Sequence, residues 1–343
     1  MQYLPLGNTG LYVSRICFGA MTFNDEGSAF AQIVGGMSQS DADRMIGTAL
    51  DAGVNFFDTA NMYGEGSSER MLGKALAGKR EDAVIATKVY FTNRTEINAL
   101  GTSRLSIMRE VDRSLERLGT DYIDLYQVHC IDPTTPLEET LRALDDCVRQ
   151  GKVRYIGLSN YAAWQIAKAD GLARHLGTER FCSVQAYYSL AGRELEREIL
   201  PAVRDLGLGV MVWSPLAGGF LSGKYTGEGA SEGRRAAFNY PPIDLEQGDR
   251  IVEVLREVGS AHDTSTARVA LAWLLHQEGV TSIIVGARKH EQLVDNLAAV
   301  DLQLSADDLS RLDEVSRLKP EYPHILPPRE RGVDPFAALE EMS

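Results

Sequence analysis

Short apolar runs alternate along this chain with longer segments in which apolar residues recur at helical spacing. The strand-like runs are RICFGA (15–20), VNFFDTA (54–60), DAVIATKVY (82–90), YIDLYQVH (122–129), RYIGLS (154–159), FCSVQAY (181–187), LGVMVWSP (208–215) and TSIIVGA (281–287). They are apolar almost without interruption, as parallel strands are when helices cover their sheet. Two of the intervening segments show the helical pattern well. SDADRMIGTALDAG has Ser40 as its N-cap and closes on Gly53, and SRLSIMREVDRSLERLG carries Ile107, Val111, Leu115 and Leu118 on one face. Eight such strands, each followed by a helix, predict an α/β fold of the closed (β/α)8 barrel type, ~250 residues plus insertions. A doubly wound open sheet is the alternative for this pattern, but no G-x-G-x-x-G follows the first strand.

Three stretches fall outside the repeat. Residues 1–14 predict an N-terminal β-hairpin with its turn between Gly7 and Gly10. Residues 24–39 and 226–249 are long βα loops, the second carrying Arg234 and Arg235. Residues 319–343, rich in proline, predict an irregular tail on the surface. The chain therefore reads as one domain over 1–343, with barrel and helices in 15–318. In barrels of this kind the βα loops build the active site, and long ones are candidate lids.

Composition narrows the function. With 343 residues, 44% of them hydrophobic, the chain can bury a large core. A net charge of −13 argues against a nucleic-acid backbone or an anionic membrane surface as partner. The four cysteines (Cys17, Cys130, Cys147, Cys182) are dispersed with no CxxC, which predicts reduced thiols and no metal site. The start MQYLPLGNTG has no basic stretch followed by an apolar run, and no apolar run approaches ~18 residues, so a cytoplasmic protein is expected. A homo-oligomer is compatible with all of this.

The stretch NFFDTANMYGEGSSE (55–69) ends an apolar run in Asp58 and sets Tyr63 before a glycine turn. The next two strands end at Lys88 and at His129. Singly, each of the four has an ordinary explanation as a turn cap, packed ring, solvated charge or rim histidine. In a barrel, however, the C-terminal ends of neighbouring strands share one rim, so all four converge. Carbonyl reduction needs a proton donor at oxygen while hydride arrives at carbon, and a phenol of pKa ~10 is too weak an acid unaided. An ammonium ~4 Å away stabilises the phenolate by up to ~4 kcal/mol at an effective dielectric near ~20, a downward shift of about two to three units. Asp58 then holds the lysine that acidifies the tyrosine, and His129 orients the carbonyl.

On these residues the chain resembles the aldo-keto reductases, from LPLGNTGLYVSRICFGAMTF to GARKHEQLVDNL. The resemblance implies a (β/α)8 barrel, Tyr63 as general acid/base with Asp58, Lys88 and His129 in support, and NADP(H) bound without a Rossmann motif. It also implies the cofactor contacts. Ser159, Asn160 and Gln185 would meet the nicotinamide carboxamide, with Gly19, Met21 and Asp58 nearby, and Trp213 would stack on the ring. Ser214, Pro215, Leu216 and Gly218 would take the pyrophosphate, with Lys224 and Arg234 adding charge. Gly286 leads into a helix start where Arg288 would fork the 2′-phosphate, with Gln292, Asp295 and Asn296 toward the adenine. Tryptophan followed by SPLA looks like the potassium-channel β-subunit branch, so a redox-sensing regulatory subunit with little turnover is the alternative. A lyase or isomerase barrel is disfavoured, since neither a carboxylate metal cluster nor a phosphate-sugar site is evident. Phe23, Tyr90, Phe91, Cys130, Tyr322 and Phe336 are candidate pocket residues for an apolar or aromatic aldehyde, ketone or secondary alcohol.

Overall fold

A computed structural model describes residues 1–25, 27, 29–224 and 239–324. The chain opens with a hairpin, β1 (Tyr3–Pro5) against β2 (Tyr12–Ser14), antiparallel and in the register Tyr3↔Ser14, Leu4↔Val13, Pro5↔Tyr12. Then β3 (Ile16–Gly19), β4 (Phe56–Asp58), β5 (Val84–Val89), β6 (Ile123–Val128), β7 (Val153–Ser159), β8 (Ser183–Tyr187), β9 (Gly209–Trp213) and β10 (Val280–Val285) form a parallel sheet. It closes where β10 pairs with β3, Ile283 opposite Ile16. Every expected strand is present within a few residues of its apolar run.

Around the sheet, in chain order, lie α1 (Ala29–Val34), α2 (Gln39–Asp51), α3 (Ser67–Ala75), α4 (Arg104–Leu118), α5 (Leu137–Arg149) and α6 (Ala163–Leu176). They are followed by α7 (Ile199–Leu206), α8 (Leu245–Ala261), α9 (Thr266–His276), α10 (His290–Leu297) and α11 (Ala306–Ser316). Three details differ from the sequence pattern. The cap of α2 is Ser38, whose extended backbone lets Oγ accept from the Asp41 amide, while Ser40 lies in the first turn. The loop 24–39 contains α1. The loop expected over 226–249 ends earlier, at Asp244, which caps α8 by accepting from the amides of Glu246 and Gln247. The tail has neither helix nor strand over 319–324, and its remainder, with Phe336, lies outside the described residues, as do Arg234 and Arg235.

The pleat sorts the strand residues into two cores. One parity, including Phe18, Phe57, Ile85, Val128, Ile156, Val184, Val212 and Ile283, packs outward under the helices. The other parity faces the barrel interior, where Cys17, Phe56, Val84, Ala86, Leu125 and Met211 form a separate cluster with Leu6 and Val13 of the hairpin. The hairpin is thus the floor of the barrel. Its turn residue Gly7 has φ +60° and approaches so closely that a Cβ would lie 2.4 Å from the Cys182 carbonyl oxygen, a conformation and a space open only to glycine. Two residues further along the same strands, the inward positions change character. Phe56 gives way to Asp58, Ala86 to Lys88, Leu125 to Gln127 and Ser183 to Gln185, all buried. A polar layer therefore lies on a dry apolar floor.

Leu6 is fully buried in that floor and Tyr12 is 59% exposed on the same hairpin. Leu6→Ala should cost about 2–5 kcal/mol, as large-to-small changes in cores do, whereas Tyr12→Ala should stay within about 0.5 kcal/mol. Urea unfolding at constant m-value measures both. Equal midpoints for the two variants would mean that the hairpin does not close the interior core.

Candidate active site

The polar layer converges at the C-terminal mouth. Lys88 Nζ donates to Asp58 Oδ2 at 2.5 Å and to the Thr59 carbonyl at 2.9 Å, with no exposure of its own. Burial by itself would lower the ammonium pKa. The facing Asp58 carboxylate, and then Tyr63, outweigh it, so the net direction is upward and Lys88 stays charged. Its Nζ lies 5.1 Å from the centroid of the Tyr63 ring. Tyr63 begins a tight turn in which Gly64, Glu65 and Gly66 all have positive φ (53°, 56° and 84°) before α3 starts. A Cβ on Gly64 would sit 2.2 Å from Asn24 Oδ1 and Ser67 Oγ. This is why YGEG follows the strand: the glycines let the backbone reverse at once and hold the phenol over the lysine.

His129 stands edge-on to Tyr63, centroids 5.9 Å apart at 80°. Burial first, and then the Lys88 charge, push its pKa well below the ordinary histidine value, so the imidazole is neutral at pH 7. Its Nδ1 is buried with no protein hydrogen-bond partner. Phe91 packs against the same imidazole at 5.1 Å and Tyr90 against Phe91 at 4.7 Å, both edge-on. The four rim residues expected from the sequence are thus brought together, with two of the candidate aromatics beside them. Cys130 is half-buried next to His129. Phe23 is not there, being fully buried against Phe18 in the outer core, and Tyr322 is 80% exposed.

The opposite wall comes from β7, β8 and β9. Ser159 lies directly across from Gln185. Asn160, at φ +58°, donates through Nδ2 to the His129 carbonyl at 2.9 Å and accepts at Oδ1 from Trp213 Nε1 at 3.1 Å. That asparagine joins three strand ends. Gln185 Nε2 donates to Asp58 Oδ1 at 2.8 Å, so this wall is continuous with the lysine–aspartate pair. Trp213 is flanked by Tyr187 at 5.1 Å and stacked with Tyr240 at 5.7 Å and 12°. Beyond it, Ser214 and Ala217 have positive φ, and Ser214 Oγ accepts from the Gly218 amide at 2.9 Å. Pro215 and Leu216 complete that turn and Lys224 is exposed at its far end. Across the mouth, Gly19 ends β3 and half-buried Met21 follows in a short turn.

At the start of α10, Arg288 is held by the C-terminal end of α1. Its Nε donates to the Val34 carbonyl and its Nη2 to the Ile33 carbonyl, each at 3.0 Å. Gln292 Oε1 accepts from the amides of Arg288 and Lys289. A cavity of about 240 Å³ lies there, lined among others by Arg44, Arg288, Lys289 and His290. Gly286 is exposed and Asn296 buried. Asp295 faces elsewhere, its carboxylate bonded to Ser265 Oγ and Arg268 Nη2, which join α10 to α9.

Sequence reasoning missed three neighbours of the site: Gln127, Tyr187 and Tyr240. Strand parity could have found two of them, since Gln127 lies two residues before His129 and Tyr187 two after Gln185. No periodicity marks Tyr240, which sits in an irregular loop.

Fold and site together define a (β/α)8-barrel oxidoreductase. The chain belongs to the Aldo/keto reductase family, whose model matches residues 15–317. It is 41% identical to the uncharacterized oxidoreductase YrpG of Bacillus subtilis, over 92% of this chain and 96% of that protein. A probable voltage-gated potassium channel subunit beta of Oryza sativa subsp. japonica is 35% identical over 93% and 98% of the two chains. Versiconal hemiacetal acetate reductase of Aspergillus parasiticus is 34% identical over 96% and 100%. The protein is accordingly a carbonyl-reducing oxidoreductase. Among the described residues, no helix is long and apolar enough to cross a membrane, and no cluster of His, Cys, Asp and Glu could hold a metal ion.

The buried neutral His129 sets a pH dependence of stability. Its folded pKa is depressed, so the unfolded chain, near ~6.5, binds the extra proton first. The stability tied to the neutral ring is complete above that value and is lost as pH falls below it. Between pH ~6.5 and ~5 the wild type should lose up to ~1.4 kcal/mol per pH unit more than His129→Asn. Denaturant unfolding of both proteins across that range measures the difference, and parallel curves would contradict a neutral buried ring.

Proposed function

We propose that this protein is an NADP(H)-dependent oxidoreductase that interconverts an aldehyde or ketone with its alcohol, with Tyr63 as general acid and base. The observation that carries this reading is the buried Lys88 ammonium, fixed between Asp58 Oδ2 and the Thr59 carbonyl with the Tyr63 ring beside it. In reduction the Tyr63 hydroxyl gives its proton to the substrate oxygen, and in oxidation the phenolate takes it back. Lys88 stabilises the phenolate in both directions, while Asp58 keeps Lys88 charged and in place. Neutral His129 offers an N–H to the same oxygen and orients it. Bound NADP(H) supplies the hydride in reduction and accepts it in oxidation.

The residues around the mouth have the chemistry such a cofactor needs. Ser159, Asn160 and Gln185 offer the mixture of donors and acceptors that an amide requires, and Trp213 offers a broad π face. The turn of Ser214, Pro215, Leu216 and Gly218, with Lys224, suits a pyrophosphate. Arg288, Gln292 and Asn296 suit the phosphorylated adenosine, Arg288 being preset by its bonds to Ile33 and Val34. Tyr90, Phe91 and Tyr240, with Cys130, favour an apolar or aromatic carbonyl substrate. A cytoplasmic site of action fits the reduced thiols.

Tyr63→Phe removes only the proton-bearing oxygen. It should lower kcat by about 10²–10⁴-fold and leave cofactor affinity nearly intact, by single-turnover assay and cofactor titration. A variant retaining more than about a tenth of wild-type kcat shows that Tyr63 is not the acid.

Arg288→Ala tests cofactor choice. A charge-assisted contact to the 2′-phosphate is worth about 1.5–3 kcal/mol, so NADPH should bind roughly 10- to 150-fold more weakly while NADH barely changes. Quenching of tryptophan fluorescence, with Trp213 at the mouth, follows both titrations. Equal weakening of the two cofactors would remove the basis for assigning NADP(H).

A further inference from the structure

Asp58 has two oxygens and they face different partners. Oδ2 meets the Lys88 ammonium. Oδ1, turned across the barrel, accepts from Gln185 Nε2 at 2.8 Å and from Gln127 Nε2 at 3.1 Å. Gln185 Nε2 also lies 3.3 Å from Gln127 Oε1, which fixes the sense of the Gln127 amide: its oxygen faces Gln185 and its nitrogen faces Asp58. Gln127 is fully buried on β6, two residues below His129. No part of it reaches the mouth where Tyr63 and the aromatic residues stand.

We infer that Gln127 is a positioning residue for the proton transfer, acting through Asp58 and Lys88 to keep Tyr63 acidic. This rests on the reading of Tyr63 given above. A carboxylate below the water line needs donors on both oxygens if it is to stay ionised. Gln185 is a poor sole donor for Oδ1, because the same amide is the one suited to a cofactor carboxamide, and engagement there would draw it from Asp58. Gln127 has no such second duty. Its amide holds Oδ1 whatever Gln185 does, so the negative charge stays on Asp58 and the ammonium stays whole opposite it. The other ionisable groups facing this pair are Cys17 on β3, Tyr63 after β4 and His129 after β6. Neither Cys17 nor His129 donates to Asp58, so neither replaces the lost amide.

Gln127→Met keeps the length of the side chain and removes the donor. Asp58 then holds its charge less firmly, the proton of the pair moves toward it, and the phenolate loses part of its cationic neighbour. In alcohol oxidation, where Tyr63 acts as base, the apparent pKa of the kcat profile should rise by about one unit, with about tenfold lower rate at a fixed pH below it. Gln127→Leu also removes the donor and should shift the profile in the same direction. It serves as the test if the methionine variant folds poorly. Chemistry must be shown to limit the rate by a deuterium isotope effect on the alcohol. A purely structural role would lower kcat equally at every pH, and an unshifted profile in the folded variants overturns the proposal. That failure is separable from failure of the Tyr63 reading: with Tyr63→Phe inactive and Gln127→Met unshifted, the tyrosine remains the base and only the role of Gln127 falls.

Discussion

The buried pairing of Lys88 with Asp58 is the interaction on which the site depends. Taking two charges out of water is expensive, and their mutual attraction compensates only when the remaining hydrogen-bonding capacity is also met. Here two of the three ammonium protons and both carboxylate oxygens are met. The ammonium has a carboxylate and a carbonyl, and the carboxylate has a lysine and two amides. A pair held this way is not chiefly a source of stability. It places a positive charge, partly offset by Asp58 but removed from solvent, beside a phenol, which the same charge on a solvated surface could not do as strongly.

That charge is kept from solvent by what lies beneath it. The hairpin carries Leu6 and Val13 into the barrel, where they meet Cys17, Phe56, Val84, Ala86, Leu125 and Met211. With the lower interior filled by apolar side chains, the polar layer above is closed to water from below. The tyrosine is fixed from behind by a second polar network. Glu69 on α3, fully buried, accepts from Thr87 Oγ1 at 2.6 Å and from Arg117 Nε at 2.5 Å, while Asn61 donates to Glu110 at 3.1 Å. Residues just before and just after the Tyr63 turn are thereby bound to β5 and α4, so the turn is held at both ends. A flexible support would blur the distance between phenol and ammonium on which acidity depends.

The two ends of the proposed cofactor site are built differently. The end near Trp213 is made of strand termini and short turns, and its residues bond to one another across β6, β7 and β9. The end near Arg288 is held by the segment inserted between β3 and α2, since the guanidinium rests on the last two carbonyls of α1. Strand-borne groups are set by the barrel itself, whereas the arginine is set by a segment inserted into it. Chemistry on this reading belongs to the scaffold and cofactor preference to the insertion.

Much of this was legible in the sequence because much of it is local. Apolar runs of strand length alternating with helical periodicity specify a covered parallel sheet, and the end of each run marks where the chain reaches the mouth, so Asp58, Tyr63, Lys88 and His129 could be named from position together with residue type. Closure of the barrel decided the rest. That Gln127 meets Asp58 across a separation of 69 residues, that Asp295 turns to Arg268, that Phe23 packs in the outer core and that Tyr240 lies on Trp213 are consequences of tertiary contact. The physical reason is that periodicity encodes which face of an element is buried. Which polar group answers another depends on strand stagger and loop path, and these arise only when the sheet closes.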